Sequence, residues 1–195
     1  MICYLARHGK DDETLRGGWS QCPLTEEGKM QVAQLADFLR NADWHIHHIY
    51  SSDLLRAMQT AGAVADKLGM TVEPMPEFRE VNNGDLAGMK NELAKQRYPG
   101  LYWSALEWDA CYPNGESPRM FFERISWAWE CFQRHILEQN GDVLLVTHGG
   151  VINVILSIVN GEAYTNRQHP WKIGYAQLLA LEFQDGSWKM KEICQ

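Results

Sequence analysis

Two short stretches of this 195-residue chain share one shape. Ile2-Cys3-Tyr4-Leu5-Ala6 is an apolar run that stops at Arg7-His8-Gly9, and Val143-Leu144-Leu145-Val146 stops at Thr147-His148-Gly149-Gly150. Each reads as a buried strand that delivers a histidine to its carboxyl end, with glycine directly after. Ligands of open α/β sheets bind just outside the carboxyl ends of the strands, so the two histidines are expected to face each other across one pocket. The chemistry on offer is nucleophilic. A neutral imidazole nitrogen attacks readily, and the Arg7 guanidinium beside it suits a phosphoryl oxygen. Gly9 lets the backbone turn or approach a ligand closely.

Further residues fit such a site. Arg56 falls in the first turn of an expected helix, where a cation costs roughly 0.3–1 kcal/mol against the helix dipole. A residue set against its local preference points to a task in a site; the alternative is an exposed surface arginine. Glu80 follows Phe78-Arg79, with Asn82-Asn83-Gly84 behind it. A carboxyl group near a phosphoryl leaving group can act as general acid and then as base toward water, a role that contributes typically ~10²–10⁴-fold. Taken alone, Glu80 is no better placed than Glu77. His148 stands just ahead of a helix expected from Val151, whose free N–H groups favour an anion; the alternative is a satisfied core histidine. The aromatics Tyr98, Tyr102, Trp103, Trp108 and Tyr112 either wall a leaving-group pocket or pack their own segment onto the sheet. Packing is favoured, since aromatics bury large area wherever they sit. His45 and His47 share a strand face, but no acid or cysteine partners them, so they read as surface rather than as a metal site.

The elements that must position these groups can be traced along the chain. Thr25-Glu26-Glu27 opens a helix with a cap and two acids in its positive first turn, and Val32, Leu35, Ala36 and Leu39 follow at helical spacing. Ile46 to Tyr50 is a short strand. Ser51-Ser52-Asp53 offers caps for a second helix carrying Leu54, Met58, Ala61, Ala65 and Leu68 on one face, ended by Gly69. Thr71 to Pro74 is a third strand. Residues 86–116 have poor periodicity and read as an insertion or lid. Ser117-Pro118 starts a strong helix with serine as cap and a buried stripe of Phe122, Ile125, Trp129, Phe132 and Ile136. A strand from Asp142 to Thr147, an apolar helix from Val151 to Val159 and a hairpin from Ala176 to Ile193 about Asp185-Gly186 complete the pattern. Continuously apolar strands alternating with helices predict a mostly parallel α/β sheet in a single domain, 1–195.

Composition bounds the partners. Hydrophobic residues make up 45% and the formal net charge is −7. An acidic chain without a basic run is a poor match for a nucleic-acid backbone. No segment reaches transmembrane length, so neither nucleic acid nor membrane is an expected partner. Five scattered cysteines (Cys3, Cys22, Cys111, Cys131, Cys194) show no metal spacing and suit reduced thiols in a cytoplasmic protein.

Six segments in order resemble the histidine phosphatase superfamily, also called the phosphoglycerate mutase-like family. They are Arg7-His8-Gly9; Gly18-Trp19 with Pro23-Leu24-Thr25-Glu26-Glu27-Gly28; Ser51 to Ala61; Phe78-Arg79-Glu80 with Gly84, Asp85 and Gly88; Asn114-Gly115-Glu116-Ser117; and Val146-Thr147-His148-Gly149-Gly150. The resemblance implies a three-layer α/β fold with helices on both faces of the sheet. It implies phosphomonoester hydrolysis through a phosphohistidine on His8, with Arg7, Arg56 and His148 holding the phosphoryl oxygens and Glu80 as general acid and base. Gly9, Gly18 and Gly149 would lie against substrate, a small phosphorylated molecule, without metal or cofactor, in a monomer or homodimer. The length is similar to the phosphatases of the family, including the α-ribazole phosphatase-like group, rather than to the longer mutases. A phosphoglycerate mutase and a non-catalytic phospho-ligand binder on the same fold remain the alternatives. The chain departs from the family after Gly9. Lys10-Asp11-Asp12-Glu13-Thr14 replaces the usual Glu or Gln then Thr or Ser, the loop to Trp19 is about three residues short, it lacks an asparagine, and Gly17 stands where many relatives carry a hydroxyl.

Overall fold

A computed structural model describes residues 1–41 and 44–193. Its six strands are β1 (Ile2–Arg7), β2 (Ile46–Ser51), β3 (Val72–Pro74), β4 (Asp142–Thr147), β5 (Leu178–Gln184) and β6 (Ser187–Lys191). They form one sheet in the order β3-β2-β4-β1-β5-β6. β3, β2, β4 and β1 run parallel, β5 pairs antiparallel with β1, and β6 pairs antiparallel with β5 at the edge. The mostly parallel sheet read from the apolar runs is therefore present.

Register is what brings the two histidines together. Cys3 lies opposite Val143 and Arg7 opposite Thr147. The next residue on each strand is a histidine, so His8 and His148 emerge side by side at one end of the sheet.

Both faces are covered, as continuous apolarity requires. Successive strand side chains point to opposite faces. Tyr4, Ala6, Leu144 and Val146 pack toward α1 (Glu26–Asn41) and α2 (Leu55–Leu68), whereas Cys3, Leu5, Val143 and Leu145 pack toward α4 (Pro118–Leu137) and α5 (Gly149–Asn160). Trp129, Phe132, Phe121 and Ile125 of α4 are almost fully buried, and each such side chain contributes about 1.5–3 kcal/mol relative to exposure. The segment between β3 and α4 holds α3 (Asn91–Arg97) and short 3₁₀ turns at Pro76–Phe78, Gly84–Leu86 and Trp103–Ala105.

Helices α1 and α4 start on side-chain caps, whereas α2, α3 and α5 do not. Thr25 Oγ1 accepts from Gly28 N at 3.0 Å, and Ser117 Oγ accepts from Met120 N at 3.2 Å. Before α2, however, none of Ser51, Ser52 and Asp53 caps. Leu54 occupies the cap position without a side-chain bond, because Ser52 is turned to His148 and Asp53 is paired with Arg79. Two sequence expectations shift by a residue or two. Phe121 rather than Phe122 belongs to the buried stripe of α4, and α5 begins directly at Gly149 rather than at Val151. The closing hairpin turns on Asp185 and Gly186, both at positive φ (52° and 78°), the pair of left-handed conformations that a tight two-residue turn requires. Among the described residues, no helix is long and apolar enough to cross a membrane.

Candidate active site

His8 follows the last residue of β1 and is only 4% exposed. Its Nδ1 lies 2.7 Å from Gly9 O. A carbonyl only accepts, so Nδ1 carries the proton and Nε2 keeps its lone pair. Nε2 accepts from Arg56 Nε at 3.2 Å. Burial, reinforced by the Arg56 and Arg7 charges, holds the His8 pKa well below the ordinary imidazole range. The ring is thus neutral, with its lone-pair nitrogen on the Arg56 side. Gly9 is engaged inside the protein: its N–H donates to Thr60 Oγ1 at 3.1 Å, and a Cβ there would stand 2.7 Å from Gly28 O and Val32 Cγ2 of α1.

Arg56 is 2% exposed, which removes the surface-arginine alternative. Its position in the first turn of α2 is offset by acceptors that its guanidinium gathers. Nη1 donates to Ser20 O at 3.0 Å and Nη2 to Gly18 O at 2.8 Å, and Nε lies 3.4 Å from Asp11 Oδ2. Gly18 adopts φ 57°, and a side chain there would run into Asn83.

His148 is fully buried, and its ring centroid is 5.0 Å from that of His8. Its Nε2 sits 2.8 Å from Ser52 Oγ, while Nδ1 has no partner among the described residues. Its pKa also lies well below the ordinary range, through burial first and then Arg56, His8 and Arg7. Arg7 Nη1 donates to Ile173 O at 2.6 Å, its guanidinium lies 3.9 Å from the centre of the Tyr175 ring, and its buried Nε is unpartnered. Buried donors without acceptors cost about 1–3 kcal/mol each unless a ligand satisfies them. Arg7 Nε is one such donor among the described residues, and His148 Nδ1 is a second in the tautomer in which the Ser52 hydroxyl donates to Nε2.

Glu80 stands on the other side of Gly150. Its Oε2 accepts from Gly150 N at 3.1 Å, in the first turn of α5, and its Oε1 accepts from Val81 N at 3.1 Å. The Glu80 carbonyl is clamped twice, by Trp19 Nε1 at 2.6 Å and Arg124 Nη2 at 3.1 Å. Arg124, from α4, also grips Glu116 with two nitrogens (2.6 and 2.9 Å) and reaches the carbonyls of Glu77 and Arg79. Beside Glu80 and Arg7 opens a cavity of roughly 610 Å³, whose lining includes Gly149, Trp103, Trp171 and Lys172.

The structure brings His8, Arg7, Arg56, His148 and Glu80 together, with Gly9, Gly18 and Gly149 around them. Of the aromatics between 98 and 112, Trp103 lines the cavity and also stacks on Tyr112, which bears out the packing reading. His47 Nδ1 is bonded to the His45 carbonyl, and among the described residues no group of three or more His, Cys, Asp or Glu could hold a metal. Cys3, Cys22, Cys111 and Cys131 are free thiols; Cys194 lies outside the described residues. Sequence reasoning missed Ser52, Thr60, Asp11 and Arg124, together with the segment carrying Trp171 and Tyr175. Asp11 had a signal as a carboxylate within the atypical loop, and Ser52 and Thr60 lay within the Ser51–Ala61 segment.

Residues 3–195 match the histidine phosphatase superfamily (branch 1). The chain belongs to this superfamily. Among superfamily relatives, it is 32% identical to a probable phosphoglycerate mutase, GpmB, of Yersinia pestis, over 95% of this chain and 86% of that one. It is 28% identical to an uncharacterized phosphatase, PhoE, of Bacillus subtilis, over 98% and 92%. In fold it is similar to the α-ribazole phosphatase of Shigella flexneri, with a TM-score of 0.83 at 23% identity, covering 98% of this chain and 95% of that one. The phosphoglycerate mutase-like α/β fold of the superfamily is therefore this chain's fold.

Proposed function

We propose that this histidine phosphatase superfamily member is a metal-independent phosphomonoesterase for a small phosphorylated metabolite, working through a phosphohistidine on His8. The observation that carries the reading is His8 Nε2, its lone pair kept by the Nδ1–Gly9 bond, buried against Arg56 and beside the His148 ring and the Arg7 charge. Electrostatic stabilisation by preorganised donors is the main lever of phosphoryl transfer.

The steps follow from these atoms. An incoming phosphoryl oxygen takes the Arg56 Nε–H that His8 Nε2 now accepts, which frees the lone pair. Nε2 attacks phosphorus as the ester P–O bond breaks, and the Glu80 carboxyl gives its proton to the leaving oxygen. Gly9 O keeps Nδ1–H in place and stabilises the positive ring. The alcohol leaves through the cavity beside Glu80. Water then attacks phosphorus, gives its proton to the Glu80 carboxylate, and the N–P bond breaks to release phosphate and restore His8. His148 stays neutral at neutral pH and donates through Nδ1, since the Ser52 hydroxyl can serve Nε2.

The test is turnover of an activated aryl phosphate together with rapid-quench trapping of acid-labile protein phosphate. Wild type should show both and His8→Ala neither. Activity surviving in His8→Ala ends this reading. The likeness to a probable phosphoglycerate mutase motivates one competing arm. Interconversion of 2- and 3-phosphoglycerate faster than their hydrolysis would make the protein a mutase.

A further inference from the structure

Asp11 puts a carboxyl group inside an anion site. It is 9% exposed, and its Oδ2 lies 3.4 Å from Arg56 Nε, the atom that donates to His8 Nε2 at 3.2 Å. Nucleophile and carboxyl thus share one guanidinium nitrogen, and a phosphoryl group that reaches His8 Nε2 comes to the side of Asp11. The charged and titratable groups facing Asp11 are Arg56 from α2, Arg7 from β1, Glu13 from its own loop and Tyr175 from the loop before β5. Arg7 and Arg56 together balance a phosphoryl dianion. An ionised Asp11 would add a further negative charge in a buried site, where charges are little screened. A neutral carboxyl instead supplies an O–H donor, in a loop that offers no asparagine for the purpose.

We propose, on the reading of the site as a phosphohydrolase centre, that Asp11 binds the transferred phosphoryl group as a carboxylic acid. One proton is held between its carboxyl and a phosphoryl oxygen, so binding of a tetrahedral dianion takes up one proton from solvent. Burial pushes the Asp11 carboxyl up from its usual range, against the pull of Arg56, so the proton is retained to higher pH than on a surface aspartate. Asp11 is then a specificity-determining residue: it tunes the site to phosphoryl charge and sets the alkaline edge of binding.

Sulfate is the probe, because it stays a dianion over the whole range. Its binding is followed by calorimetry between about pH 5 and 8, in buffers of different ionisation enthalpy that count protons directly, and affinity should weaken toward tenfold per pH unit once Asp11 ionises. Asp11→Asn should bind sulfate without that slope, and Asp11→Ser is a second non-titrating variant in case the first does not fold. Glu80→Gln should keep the slope. A wild type that takes up no proton overturns the proposal, as does a folded Asp11→Asn with the full slope or a Glu80→Gln that has lost it. Turnover is scored separately. A chain that hydrolyses aryl phosphate but binds sulfate without proton uptake loses this inference and keeps the hydrolase reading. One that takes up the proton with sulfate but never turns over loses the hydrolase reading.

Discussion

A glycine next to the Glu80 carboxyl shows how finely single residues set this site. A Cβ on Gly150 would stand 2.3 Å from Glu80 Oε1. The obstructed atom is the tip of a flexible side chain, so Gly150→Ala should leave the unfolding midpoint almost unchanged while displacing the Glu80 carboxyl, the proposed general acid. The expected loss is about 10²-fold in kcat, read from steady-state kinetics beside a urea melt. Gly149→Ala is the contrast, since its Cβ would meet Arg7 only at ordinary contact distances of 3.6 Å and beyond. Ser52 acts at one remove, holding His148 Nε2 at 2.8 Å. Ser52→Ala leaves a buried ring nitrogen unsatisfied, which costs about 1–3 kcal/mol. It should also lower kcat and kcat/KM together, the sign of a contact that matters in the transition state.

Elements carry these residues unequally, and Arg124 of α4 shows why. Its fork on Glu116 and its bonds to the carbonyls of Glu77, Arg79 and Glu80 fasten the loop after β3 to the helix layer. Arg124→Met would strand a nearly buried Glu116 carboxylate and should destabilise the chain by about 3 kcal/mol in denaturant melts, with kcat falling as Glu80 loosens. Strands β1 and β4 were readable in the sequence because their apolar runs have to be continuous when both faces are covered. His8, His148, Arg56 and Glu80 were readable because they sit at the ends of such elements or within strong motifs. Arg124 was not, because a cation on a helix looks the same whether it meets water or four acceptors. The run from Trp171 to Tyr175 was also hidden: long-range polar bonds place it, from Arg7 Nη1 to Ile173 O and from Asn153 Nδ2 to Trp171 O, and these leave no local period. The uncapped start of α2 misled for a related reason. Ser52 and Asp53 are good caps that tertiary partners have claimed.

The whole molecule should respond to acid through its two buried histidines. His8 and His148 both have pKa values well below the ordinary range. Below about pH 6.5 the unfolded chain takes protons on these rings and the folded chain does not, so stability falls by up to ~1.4 kcal/mol per pH unit for each histidine. Urea melts from neutral pH to about pH 5 should show stability falling with acid. The slope is two protons from the rings less the opposing uptake by the folded Asp11 carboxyl, whose raised pKa favours the folded state as pH falls. His148→Gln should lower the slope by up to one proton; a flat wild-type profile would contradict the burial of neutral rings. The sheet order holds one more consequence, for how the molecule is made. β1 leads the chain, yet its neighbours β4 and β5 come from beyond residue 141. During synthesis the ribosome exposes β1 long before either partner strand exists, and an apolar strand with two open edges is what chaperones hold and aggregates recruit. A chain stalled before β4 therefore carries its nucleophile but no pocket. Products truncated before β4 should be catalytically silent rather than weakly active, and activity should arise abruptly once β4 and β5 have been made.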